Sequence, residues 1–74
     1  MNNININKLK GKLVEKDMTV EALATQMGID KATLYRKMRD NGRTMLVKDA
    51  NSIVSILGLS SEEAVAIFFS QFVA

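Results

Sequence analysis

Seventy-four residues with a net charge of +2, no cysteine and no histidine describe one small domain. Without thiolates there is neither a disulfide framework nor thiolate metal binding, and without imidazole the usual zinc ligand and the commonest general base are both missing. With 47% of its residues apolar the chain can fold, but so small a core is marginal and gains from well-packed helices or a second copy.

The opening twelve residues, MNNININKLKGK, are polar and basic, with no apolar leader. No apolar run approaches the roughly 18–20 residues that cross a bilayer, so a soluble, cytoplasmic protein with no membrane partner is expected. Residues 1–4 are expected to fray. NNININ alternates like a short strand, but Ile6 continues into a stripe with Leu9 and Leu13, which predicts a helix over 5–16. Gly11 lowers its propensity by about 1 kcal/mol without breaking the pattern.

Thr19 is a good N-cap for a second helix over 20–27, where Val20, Leu23, Ala24 and Met27 fall at i, i+3, i+4 and i+7. Gly28 stands where a C-terminal cap needs positive φ. Asp30 suits the N-cap of a third helix over 31–40, with Leu34 and Met38 inward and Asn41-Gly42 as its stop. Arg43 to Leu46 form a linker. A fourth helix over 47–57 carries Ala50, Ile53, Val54 and Leu57 and ends at Gly58; its N-cap is the least defined, since Leu46 and Val47 offer no side-chain oxygen.

Ser60-Ser-Glu-Glu63 is a capping box opening a fifth helix over 61–72. Ala64, Ile67 and Phe68 form its core stripe, while Val65, Phe69, Phe72 and Val73 widen the apolar surface beyond one face. The fold class is therefore all-α, a single compact five-helix domain.

Charge is uneven along this chain. Lys31, Arg36, Lys37, Arg39 and Arg43 face only Asp30 and Asp40 within their segment, Lys8, Lys10, Lys12 and Lys16 cluster in the first helix, and from Val47 onward Lys48 is the sole basic residue. The four lysines of the first helix read as a solvated face. A helix, a glycine turn and a basic helix together point to helix-turn-helix DNA binding.

The string LAxxMGIxxxTLYRKM, followed by an Ile/Val/Leu helix ending in LGLS, resembles the Cro/phage-repressor class of helix-turn-helix regulators, the XRE-like family. Short phage-type members are the nearest in character, and the likeness runs from Leu9 to Phe69. TLYRKM followed by Asn-Gly is also similar, over the second and third helices alone, to the Fis-type DNA-binding helix. The resemblance implies a lambda-repressor-like fold, operator DNA as partner, a homodimer on a palindrome, and no cofactor, metal or catalytic residue.

In that mode of docking the N-terminal half of the third helix meets base edges in the major groove. The base-reading candidates are Lys31, Ala32, Thr33, Tyr35 and Arg36, with Arg36 foremost because guanidinium binds guanine O6 and N7 bidentately. Thr19, Lys37, Arg39 and Arg43 are the phosphate candidates. Val65, Phe69, Phe72 and Val73 are candidates for a dimer or partner surface. Many relatives carry Gln where Val20 stands, and Val20 has no side-chain donor. That departure, with the apolar fifth helix, motivates an alternative: a modulator that keeps the fold but binds another phage regulator, such as a repressor.

Overall fold

Five helices follow one another in the computed structural model, which describes Met1 and residues 4–69. They are α1 (Ile6–Glu15), α2 (Val20–Met27), α3 (Lys31–Arg39), α4 (Val47–Leu57) and α5 (Ser61–Phe68). No strand occurs among the described residues, and no helix there is long and apolar enough to cross a membrane.

Each helix begins where a side chain satisfies an otherwise unpaired N–H. Asn5 accepts from the Lys8 N–H at 3.1 Å, Thr19 Oγ1 from Ala22 at 3.0 Å, and Asp30 from Ala32 at 2.7 Å. Ser60 and Glu63 exchange reciprocal bonds at 3.1 and 2.8 Å, as their spacing predicts. α4 solves its capping differently. Leu46 has no oxygen to offer, so the Asp49 carboxylate reaches back to accept the Leu46 N–H at 2.9 Å. Gly28 and Gly58, at φ +75° and +62°, close α2 and α4 in the left-handed conformation.

α2 packs on both α3 and α4, and α1 lies against α5. Leu9, Leu23, Leu34, Met45, Ile53, Ile67 and Phe68 fill the centre with almost no exposure. Ala24, 1% exposed, sits where α2 meets its neighbours, and the Ile29 N–H bonds back to its carbonyl at 3.1 Å.

At the C-terminal end, α5 runs to Phe68 with Phe69 as its C-cap at φ −131°, residues 70–72 of the expected helix lie outside the described residues, and the Ile67 carbonyl accepts the Asn5 N–H at 2.8 Å. One expectation at the other end is corrected: Met1 and Ile4 do not fray. Ile4 is 4% exposed and its N–H binds the Asn41 carbonyl at 3.0 Å, while the Met1 ammonium donates to the carbonyls of Met45 and Arg43 at 2.7 and 3.2 Å.

α1 and α5 are joined by charge as well as by packing. Lys12 pairs with Glu63 across the two helices and with Glu15 one turn along its own, at 3.1 Å. The Lys12 ammonium, followed by the Ser60 backbone N–H, holds the Glu63 carboxyl down at about 2. A depressed carboxyl stabilises the fold above its ordinary value of 4.5, and that contribution is lost as pH falls toward 2. We therefore expect Glu63→Gln to be less stable than the parent at pH 7. The difference should shrink steadily on acidification below pH 4.5, as read from thermal melts in a pH series. Parallel curves would contradict the assignment.

Candidate nucleic-acid interface

α3 is built to show one face and bury the other. At about 100° per residue, Lys31, Tyr35, Arg39, Ala32 and Arg36 fall in that order across an arc of about 140°. All five are exposed, and the buried Leu34 and Met38 lie outside the arc, past its Lys31 edge. The segregation leaves three fixed positive charges on a single helical surface with one aromatic ring between them. Thr33 lies just beyond Arg36 and is half-buried, so its side chain belongs to the margin of that face.

The loop after α3 adds a fourth cation. Arg43 is exposed in a turn organised by Asp40, whose carboxylate accepts the Arg43 N–H at 3.0 Å and the Thr44 hydroxyl at 2.9 Å. Burial alone would raise the Asp40 pKa, but the bonds from Thr44, Arg43 and Gly42 together outweigh it and hold the group below its ordinary value. Asp40 thus spends its lone pairs on the loop backbone rather than on the arginines of the exposed face.

Lys37 departs from the phosphate role expected of it. Its Nζ lies 2.7 Å from Asp49 Oδ2 and 3.2 Å from the Thr44 carbonyl, and the two side chains are only 12% and 7% exposed. It faces α4 rather than the arc, because residue 37 falls between Thr33 and Leu34, on the side of α3 opposite the middle of the arc. The ammonium is committed to clamping α3 against the start of α4.

Tyr35 is 40% exposed, and its hydroxyl donates to Glu21 Oε2 at 2.9 Å, bridging α3 to the first turn of α2. The Glu21 carboxyl is held below its ordinary value, first by its own backbone N–H and then by the Tyr35 hydroxyl; the same bond raises the phenol of Tyr35. Thr19, at the start of α2, is exposed and uses its hydroxyl oxygen as the cap.

Two members of this surface were not singled out from sequence. Lys10, from α1, lines a shallow hollow with Tyr35, Met38 and Arg39. Its α1 pattern predicts only that it is solvent-facing; its place beside Tyr35 and Arg39, residues 25 and 29 positions later, has no local signature. Glu21 is the acid in the first turn of α2, and nothing in its neighbourhood in sequence shows that it would reach a tyrosine fourteen residues on.

Val65 on α5 and Phe69 just after it are exposed, at 39% and 42%. Phe72 and Val73 lie outside the described residues. With this geometry in place, comparison with known proteins finds no match to a family model, to a curated protein or to a solved structure.

Proposed function

We propose that the protein is a sequence-specific DNA-binding transcriptional regulator of the phage repressor/Cro type, that α2 and α3 form its helix-turn-helix, and that α3 enters the major groove. The observation that carries this reading is the exposed arc of α3, where Lys31, Arg36 and Arg39 surround Tyr35 and are flanked by Arg43 and Lys10. Such a surface suits a polyanion, and its residue types suit base edges as well as phosphates. Arg36 and Lys31 are the donors for guanine; Ala32 and the Thr33 methyl suit a thymine methyl. Arg39, Arg43 and Lys10 supply affinity that falls with salt.

Selection of bound DNA from a random pool gives the site, and electrophoretic shifts at two salt concentrations then weigh the roles. Arg36→Ala should cost about 1–3 kcal/mol of binding to the selected site and relax the preference at one base pair. Arg43→Ala should weaken all sequences alike and lower the salt dependence by about one ion. Failure to enrich any sequence at low salt would overturn the reading.

A second reading is supported by Val65 and Phe69, whose shared exposed face suits a protein partner. Under it the domain keeps this architecture but acts on another regulator, as an antirepressor or co-repressor. Indifference to DNA together with a stable complex with a repressor would favour it.

A further inference from the structure

Bound to the exposed basic arc is one anion that phosphate binding does not call for. Glu21 lies at the α2–α3 junction, exposed, its Oε2 held by the Tyr35 hydroxyl at 2.9 Å. Tyr35 stands between Lys31 and Arg39 on the arc, so the carboxylate is fixed beside the positive charges rather than pointed away from them. A surface meant only for phosphates gains nothing from a carboxylate there, since it repels the backbone and cancels part of a neighbouring cation. Part of its purpose is structural: an acid in the first turn of α2 suits the helix dipole. That role needs no bond to Tyr35 and would be met by a side chain turned in any direction.

A carboxylate accepts at both oxygens, with about four lone-pair sites in all. The phenol and the local backbone N–H take a share, and the remainder can accept only from a donor. In the major groove cytosine presents the N4 amino group alone, adenine pairs its N6 amino group with the N7 acceptor, and guanine and thymine show oxygen or nitrogen acceptors that a carboxylate repels. We propose that Glu21, positioned by Tyr35, is a specificity-determining residue that accepts from the exocyclic amino group of a cytosine and rejects guanine and thymine at that base pair. The proposal rests on the DNA-binding reading above. It divides the labour on one surface: arginine and lysine of α3 read guanines, and the acid of α2 reads a cytosine.

The test is selection from a random DNA pool with the full chain and three variants, followed by affinities for sites differing at single base pairs. The parent should prefer cytosine at one position by about tenfold over guanine or thymine. Glu21→Gln retains an acceptor for the Tyr35 hydroxyl but adds an amide donor, so the preference at that one position should move from cytosine to adenine. Tyr35→Phe removes the anchor and should blur the same position, with preferences elsewhere kept. Glu21→Ala should abolish the preference there, and circular dichroism separates this from a folding defect because the other positions must stay selective. If Glu21→Gln keeps every base preference and only tightens binding uniformly, Glu21 acts as bulk charge and the proposal is overturned while the DNA-binding reading stands. If the parent selects no sequence, both fall together.

Discussion

Asp49→Ala should lower the stability of the fold by about 3 kcal/mol at pH 7, the scale on which breaking one partner of a buried ion pair leaves the other charge uncompensated. Asp49 is the one buried charged residue among those described, and it performs two tasks with one carboxylate. It accepts the Lys37 ammonium at 2.7 Å and the Leu46 N–H at 2.9 Å, so it joins α3 to α4 and caps α4 where the sequence provides no conventional cap. Removing it strands a lysine that is only 12% exposed and an N–H at a helix start. Lys37→Met strands the carboxylate instead and should cost a similar amount. Lys37→Met combined with Asp49→Leu should recover most of the loss, short of about 1 kcal/mol for the Leu46 N–H, because an apolar pair of similar volume replaces an ion pair without a desolvation cost. Urea titrations of the parent, Lys37→Met, Asp49→Leu and the double variant form a double-mutant cycle. Additive losses would show that the two residues do not act as a pair.

The same group gives the pH dependence a sign. Burial on its own would raise the Asp49 pKa, but the bonds from Lys37 and Leu46 outweigh it and the carboxyl sits below its ordinary 3.8. Its contribution is therefore complete above pH 3.8 and fades as pH falls through the folded value. Acid should loosen the α3–α4 clamp through Asp49 and the α1–α5 contact through Glu63.

Gly42→Ala should cost about 3 kcal/mol, against about 1 for Gly28→Ala, although both glycines have nearly the same backbone angle. At φ +77° and +75° each substitution carries the left-handed penalty of about 1–2 kcal/mol. The difference lies in what a β-carbon meets. At Gly28 there is open space, whereas at Gly42 it would stand 2.8 Å from Ile4 Cβ and 2.7 Å from Ile4 Cγ1. Displacing a packed side chain adds about 1–3 kcal/mol. Ile4→Ala should reduce the extra penalty at Gly42 while carrying a cavity cost of its own, so the double variant should be less damaged than the sum. Equal melting shifts for the two single glycine variants would mean that the N-terminal residues do not hold this loop.

Which parts of this architecture could be read without coordinates follows from the range of the interactions. Thr19, Asp30 and the Ser60–Glu63 box were readable because a cap and its N–H are two or three residues apart. The apolar stripes of α2 to α4 were readable because helical period alone selects Leu23, Leu34 and Ile53. Lys37 was misassigned because its partner is twelve residues away on another helix; in sequence it is one more cation beside Arg36. Ile4 was placed in a frayed end because its burial depends on a glycine thirty-eight positions later. The bond from the Asn5 N–H to the Ile67 carbonyl was likewise unreadable, because it joins the two ends of the fold across sixty-two positions. Among the interface candidates, the exposed arc of α3 was legible, and Glu21 and Lys10 were not, for the same reason of distance along the chain.

The two successive N–H groups of Ile4 and Asn5 point to different elements, one to the carbonyl of Asn41 just after α3 and the other to that of Ile67 near the end of α5. They behave as a fastener spanning two parts of the molecule that share little else. Local opening of α5 then cannot proceed as private fraying of a terminal helix, because releasing Asn5 slackens Ile4 and with it the turn that carries Arg43. On this account the short helices are expected to open together rather than one by one, with Ile4 and Asn5 as their clasp.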